Sequence, residues 1–343
     1  MPRIDRLRIS GLRNLSGVDL RLPEGSIWLV GDNGAGKTSV LEAVYLLSRG
    51  VSFRGRRFGP VVARGAAGVR LDGWMSDGSE RWRRSWSFGG RGGQESAGRG
   101  FRVRLIGASM QMLLEGEPGL RRRFLDWNLF HVEHRFDALR LRYRRVAAQR
   151  NAWLKAGGRG LAIWDAEYAK VLAEMSGLRS GFFDLLRDAF RVVAKDFDVA
   201  LDLRPEWRPG LPEAPNILPW LKDHLAADVN RGYSFLSLAR GDFHFQRDGN
   251  PWVGSRGQNK LVGVLLQLAA EKVVSDRVES RAIWLVDDLG AELDLNSHRR
   301  ALGTIMRFSD QTLVTSLTPP STETSHIGAA TMFHVEHGQV LAR

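Results

Sequence analysis

The sequence predicts an α/β protein: a mixed, largely parallel sheet covered by helices, with a mainly helical lobe inserted in its middle third. Three observations carry that prediction. Short apolar strands alternate with helical patterns toward both ends of the 343 residues. A Gly-rich loop stands between an apolar run and a helix near the N-terminus. Long 3.6-residue periodicities fill the stretch from 113 to 231.

The elements follow in chain order. Ile4, Leu7 and Ile9 place a strand over 3–10, and alternation over 18–22 places a second. The apolar run "IWLV" at 27–30 leads into "GDNGAGKTS" at 31–39, and the residues from 40 to 47 read as a helix. Residues 65–104 continue in short strands, with a hairpin turning at Ser76-Asp77-Gly78-Ser79. The following "GGRGGQESAGRG" has no apolar anchor and is expected to be a flexible loop. Beyond Leu113 the pattern changes. Phe136, Leu139, Tyr143, Val146 and Trp153 fall on one helical face, while Arg140, Arg142, Arg144, Arg145 and Arg150 crowd the remainder. One or two helices are expected over 163–197, and then "LRPEWRPGLPEAPNILP" interrupts, because proline cannot sit inside a helix. After Gly232 short strands return, with a hairpin at Phe243-His244-Phe245 turning at Asp248-Gly249-Asn250. A helix over 258–274, a strand over 283–286, a helix over 297–308, a strand over 312–315 and a hairpin around Gly338 complete the chain. The expected domains are therefore a discontinuous one, 1–112 with 232–343, and an inserted helical lobe or arm, 113–231.

Composition narrows the function. There is no cysteine, which excludes disulfides and thiolate metal sites, and no apolar run reaches the roughly 18 residues of a membrane span. The expected location is the cytoplasm. The formal charge is +12 and 43 of the 50 basic residues are arginine. Guanidinium binds phosphate bidentately, so a polyanion is the expected partner, against the plainer reading of a GC-rich genome.

Three motifs carry chemistry. Gly31, Gly36, Lys37 and Thr38 fill the pattern G-x-x-x-x-G-K-[ST] between a strand and a helix. In that setting the loop of Gly31, Asn33, Gly34, Ala35 and Gly36, continuing through Lys37, Thr38 and Ser39, would wrap the phosphates of ATP, with Lys37 on the β and γ phosphates and Thr38 on Mg²⁺. In "IWLVDDLGAELD" a buried strand ends in two acids. Asp287 would hold the Mg²⁺, and Asp288 would orient or deprotonate the attacking water. In "SRGQNK" at 255–260, Ser255, Gly257 and Gln258 open a helix. In ATPases of the ABC class such a stretch faces the γ-phosphate of a nucleotide held by the other subunit. A helix cap alone would also explain Ser255.

These motifs, in this order, make the chain resemble the RecF family of bacterial recombinational-repair ATPases, whose ABC-type P-loop heads are similar to those of SMC and Rad50 proteins. The resemblance spans nearly the whole length: "LRNL" at 12–15, the Gly-rich loop, "SFRG" at 52–55, "EGEPGLRRRFLDWNLFHVEHRF" at 115–136, "YRRVAAQRNAWL", "SRGQNKL", "LVDDLGAELD" and "MFHVEHG" at 332–338. Its most specific piece is Glu117-Pro118 with Arg121-Arg122-Arg123-Phe124-Leu125-Asp126. The resemblance implies an ATP-dependent homodimer on duplex or gapped DNA, slow DNA-stimulated hydrolysis, and help with RecO and RecR in loading the RecA recombinase. It also suggests that Arg13 touches the nucleotide, with a surface arginine as the equal alternative. The chain departs from the family where a Gly-Pro-His-Arg-like stretch is replaced by Leu238-Ala239-Arg240-Gly241-Asp242, along 105–110, and at Asn259. His131, His134, His334 and His337 form two widely separated pairs that resemble family text without a metal role.

Other classes fit less well. A transporter energy subunit is expected to carry Glu where Asp288 stands and a histidine where Ser316 follows the strand over 312–315. A kinase or GTPase lacks the Ser-x-Gly-Gln element. A DNA-binding protein with a degenerate ATPase fold would not need Lys37, Thr38 and Asp287 together.

Overall fold

The computed structural model describes residues 2–55, 57, 59–89, 93–107, 110–158, 163–195, 197, 202–278, 280–290, 293–319 and 330–342. It divides into two compact units, Met1–Met110 with Glu279–Arg343, and Gln111–Val278.

In chain order the first unit opens with β1 (Arg3–Leu12), β2 (Leu15–Arg21), β3 (Gly25–Val30), α1 (Lys37–Arg49), β4 (Gly68–Ser76), β5 (Arg81–Gly89), β6 (Gln94–Ala97) and β7 (Val103–Ile106). The second unit holds α2 (Met112–Glu115), α3 (Pro118–Val132), α4 (Phe136–Lys155), α5 (Ile163–Ala194), β8 (Arg204–Arg208), α6 (Ile217–Asp223), α7 (Leu225–Arg231), β9 (Asp242–Arg247), β10 (Asn250–Pro251) and α8 (Arg256–Val278). The chain then returns to the first unit through β11 (Ile283–Val286), α9 (Leu295–Arg307), β12 (Gln311–Ser316), β13 (Ala330–Glu336) and β14 (Gln339–Ala342).

Two sheets build the first unit. One has the order β14-β13-β3-β12-β11-β7 and is parallel from β13 to β7, with β14 as the antiparallel edge. Its inner strands are apolar on both faces, as "IWLV" is in both β3 and β11, because helices and the second sheet leave neither face to water. The other sheet, β2-β1-β4-β5-β6, is antiparallel and alternates: Ile4, Leu7 and Ile9 are buried while Arg8 and Ser10 are exposed. Helix α1 shares one apolar core with residues of both sheets, so Val40, Leu41, Val44 and Leu47 are all buried. The stretch expected to be a flexible loop contains β6, which pairs with β5 over Ser85–Phe88; residues 90–92 of it lie outside the described residues. Backbone pairing, which needs no apolar side chain, made that strand invisible to a hydrophobicity reading.

In the second unit α5 is one helix of 32 residues, about 48 Å at 1.5 Å per residue. It packs against α4 and α8. The proline-rich interruption contains β8, the edge strand of a small antiparallel sheet with the order β10-β9-β8, where Pro205 needs to donate no ladder hydrogen bond. The "FHF" of β9 buries Phe243 and Phe245 against Phe183 and Phe190 of α5, at ring separations of 5.4 and 5.3 Å. Residues 232–278, expected with the ATPase domain, cluster with the helical unit, because α8 lies against α5, α3 and α2. Arg150, expected on the arginine-rich outer face of α4, is completely buried. Its guanidinium pairs with Asp165 and Asp228 at 2.8 and 2.9 Å and donates to Ser234 at 2.7 Å, tying α4 to α5 and α7.

Candidate nucleotide site

The Gly-rich loop leaves the C-terminal end of β3 and enters α1, at the edge where the parallel strands β3, β11 and β12 all end. Gly34 and Gly36 take φ of 80° and 124°, a region that L side chains resist, and so curl the backbone into a cradle. Gly31 is required for another reason: a Cβ there would sit 2.0 Å from the Val335 carbonyl oxygen of β13. Helix α1 begins without a side-chain cap or an acid in its first turn, which leaves its N–H groups and positive end to an anion. Lys37 Nζ donates to the carbonyl oxygens of Gly31 and Asp32 at 2.6 and 2.9 Å, so its ammonium lies inside the loop.

The acids stand opposite. Asp287 is held at the end of β11 by its own N–H donating to Ile106 O, and its Oδ1 accepts from Thr38 Oγ1 at 2.8 Å and Thr315 Oγ1 at 3.0 Å. Asp288 is exposed, has φ of 50°, and donates its N–H to Thr315 Oγ1 at 3.0 Å. A non-glycine residue at that φ is strained, and aspartate tolerates it better than most. Loop, acids and Thr315 line one cleft of about 450 Å³ with Arg13, Asn14 and Arg54. Hard oxygen donors on Thr38 and Asp287 beside a phosphate cradle suit Mg²⁺, which takes few protein ligands and shares the phosphates of its nucleotide.

Three supports were not read from the sequence. Asn14 donates to Gly34 O and Ala35 O, each at 3.0 Å, and accepts from Ser39 Oγ at 3.2 Å, clamping the loop from outside. Thr315 joins the two acids. The turn after β13 closes the back: Gly338 donates to Ala35 O at 2.9 Å, and a Cβ on it would lie 2.1 Å from Asn14 O. "LRNL" and "MFHVEHG" were the available signals, since both stretches converge on the loop.

Arg13 lies at the rim with its guanidinium committed. It makes two hydrogen bonds, at 2.7 and 2.8 Å, to the fully buried carboxylate of Glu42, and a third to Pro60 O at 2.9 Å. The hydrogen bonds to Glu42 raise the Arg13 pKa above the ordinary arginine value. Ser52 of "SFRG" donates to Glu42 at 2.5 Å, and Arg54 of the same stretch stands 3.8 Å from it.

The Ser255 element belongs to the other unit. Ser255 and Gln258 cap α8 reciprocally: Ser255 N donates to Gln258 Oε1 at 2.9 Å, and Gln258 N to Ser255 Oγ at 3.3 Å. Both side chains are exposed and Gly257 is half-buried, whereas Asn259 is buried between Trp252 and Glu115. Of the closing "AELD", residues 291 and 292 lie outside the described residues, and Asp294 caps α9 through Ser297 N at 2.9 Å. Residues 108 and 109 of the departing stretch over 105–110 also lie outside them.

The family-specific stretch at 115–126 is structural in its contacts. Arg121 grips Asp242 at 2.7 and 2.9 Å, Arg122 donates to Gly241 O at 3.0 Å, and Asp126 accepts two bonds of 2.8 Å from Arg179. The chain's own Gly241-Asp242 thus receives these arginines. His131 packs edge-on against Trp127, and His334 lies on β13 beside Glu336.

No family model matches the chain. It is 30% identical over 359 residues to the DNA replication and repair protein RecF of Aliivibrio fischeri, covering 99% of both chains. The RecF of Stutzerimonas stutzeri is 32% identical over 368 residues, covering 98% of this chain and 96% of that one. The chain belongs to the RecF family. Its fold is similar to that of the recombination mediator protein RecF-ATP in the RecFOR pathway, with a TM-score of 0.84 at 20% identity, covering 100% of this chain and 99% of that chain. It is also similar to an Smc head domain from Pyrococcus furiosus bound to the C-terminal domain of ScpA, with a TM-score of 0.56 at 14% identity. The head of this RecF-family chain is thus an ABC-type ATPase fold, and among the described residues no helix is long and apolar enough to cross a membrane.

Proposed function

We propose that the protein is an ATP-dependent DNA-binding ATPase of replication and recombinational repair. One observation carries the reading: Lys37 inside the loop, and Thr38 hydrogen-bonded to Asp287 across the same cleft, put a phosphate cradle and hard-cation ligands side by side. The residues from Gly31 to Ser39 hold the triphosphate, Thr38 and Asp287 hold Mg²⁺, and Asp288 positions the attacking water. Mg²⁺, when bound, supplies charge neutralisation for phosphoryl transfer.

The exposed start of α8, with Ser255, Gly257 and Gln258, faces the γ-phosphate bound by a second copy, so ATP joins two subunits. The dimer binds duplex or gapped DNA through phosphates, hydrolysis resets it, and RecO and RecR are its companions in recombinase loading, as RecF-family membership implies.

The test is ATP hydrolysis with and without duplex DNA, beside sedimentation with ATP and Mg²⁺. Wild type is expected to hydrolyse slowly, faster with DNA, and to dimerise with ATP. Lys37→Arg is expected to retain ATP binding and lose hydrolysis at least ten-fold, because a planar guanidinium misfits a loop built around an ammonium. A wild-type protein that stays monomeric when saturated with ATP and Mg²⁺ overturns the shared-nucleotide reading.

A further inference from the structure

Strand β12 ends beside the two acids of the nucleotide cleft. The parallel register pairs Trp284 with Thr312, Leu285 with Leu313 and Val286 with Val314, so the next step along both strands sets Thr315 against Asp287. There β11 stops being a strand. The N–H of Asp287 still donates to Ile106 O of β7, but the chain turns at Asp288, whose φ is 50°. The Asp288 N–H donates to the Thr315 side chain at 3.0 Å rather than to a backbone carbonyl of β12. Thr315 is buried, and a hydroxyl has a single proton to give. A backbone N–H can only donate and a carboxylate can only accept. The hydroxyl oxygen therefore takes the Asp288 N–H, and its proton goes to Asp287 Oδ1 at 3.0 Å.

The two acids depend on that hydroxyl unequally. Asp287 has other holds: Thr38 Oγ1 donates to the same Oδ1 at 2.8 Å, and Ile106 O accepts its N–H at 2.7 Å. For the Asp288 N–H the Thr315 oxygen is the acceptor. A non-glycine residue with φ near 50° sits in a sparsely populated conformation, which persists only where the surroundings over-determine it. Strain of that kind in the wall of a cleft points to a side chain that has to be aimed, and Asp288 is part of that wall.

We propose that Thr315 is a positioning residue for ATP hydrolysis that acts through Asp288: its hydroxyl locks the strained turn and so fixes where the Asp288 carboxylate meets the attacking water. This rests on the role given to Asp288 above. Valine has the shape of threonine without the hydroxyl, so it leaves the Asp288 N–H without its acceptor and the turn free to relax. Serine keeps the oxygen.

The test compares Thr315→Val, Thr315→Ser, Asp288→Asn and the double variant of Thr315→Val with Asp288→Asn, all in the full-length protein. Thr315→Val is expected to lower kcat for ATP hydrolysis by about ten- to a hundred-fold, the usual cost of losing a side chain that orients a functional one. Its Kd for ATP is expected to stay within about two-fold of wild type, because Lys37, Thr38 and Asp287 keep their mutual contacts. Thr315→Ser is expected to recover most of the lost rate. On the Asp288→Asn background Thr315→Val is expected to cost no more than about two-fold, since the group it positions is already gone. Hydrogen exchange without nucleotide gives a readout independent of turnover. The Asp288 amide is expected to exchange faster in Thr315→Val than in wild type, and at the wild-type rate in Thr315→Ser. Thermal melting checks the fold of each variant. A wild-type kcat in folded Thr315→Val beside an impaired Asp288→Asn overturns this proposal alone, as does a full further loss on the Asp288→Asn background. A wild-type kcat in Asp288→Asn overturns the reading of Asp288 and this proposal with it.

Discussion

Glu42 is a carboxylate fully buried in α1 one turn past the phosphate loop; its hydrogen bonds come from Arg13 and Ser52, and the half-exposed Arg54 stands off at 3.8 Å. Removing one partner of a buried pair costs more than the pair contributes, because the remaining charge has nowhere to go. Arg13→Ala is therefore expected to destabilise the protein by about 3 kcal/mol. Glu42→Gln, which keeps the shape and leaves a partly exposed arginine, is expected to cost only about 1–2 kcal/mol. Urea denaturation of the two variants checks the order; equal midpoints for Arg13→Ala and wild type would show that Glu42 does not depend on the guanidinium. At this scale the sequence was legible where one short segment contains all the parts, as residues 31–39 do. It was not legible for Asn14, which comes from the β1–β2 turn of the other sheet, or for Thr315 and Gly338, which reach the loop because β12 and β13 pair with β3. A threonine at a strand end has no local pattern that marks it, and "LRNL" and "MFHVEHG" mark their segments without saying where those segments fold.

A helix start can serve its own helix and a ligand together, and α8 poses that question through the mutual cap of Ser255 and Gln258. Substitution by alanine mixes the two roles, since losing an N-cap side chain costs about 1 kcal/mol by itself. Aspartate separates them. It caps as well as serine does, yet it puts a negative charge where a γ-phosphate would arrive. Ser255→Asp is expected to melt within about 0.5 kcal/mol of wild type and to lose ATP-dependent dimers in sedimentation; dimers that persist would leave the cap as the whole role. Elements were legible wherever apolar periodicity marked them, which covers β1–β5, α1, α5, α8 and β11–β14. The arginines of α4 show the limit of that reading. Periodicity assigns Arg150 to solvent, but Asp165 and Asp228 arrive from helices whose packing no single-helix pattern encodes. The same holds for β8, a strand made by pairing with β9 despite its proline.

Across the whole molecule the charge of +12 counts arginines with different duties. Arg121, Arg150 and Arg179 are buried and spent on Asp242, Asp165, Asp228 and Asp126, so they contribute to the fold and nothing to a surface. Others reach solvent, as on β1, β4 and β5, where Arg8, Arg70, Arg81 and Arg83 are exposed, and on α4, where Arg144 and Arg145 are. If the proposed duplex binding rests on such guanidiniums, it must release counterions and read little sequence. With about four phosphates neutralised, affinity for a duplex is expected to fall on the order of a hundred-fold between roughly 50 and 200 mM salt. It should also differ little between duplexes of unrelated sequence at either salt. Anisotropy titrations across that range measure both quantities. A flat salt response would mean that the exposed arginines are solvated surface, and that whatever holds DNA to this chain does so through contacts other than the phosphate backbone.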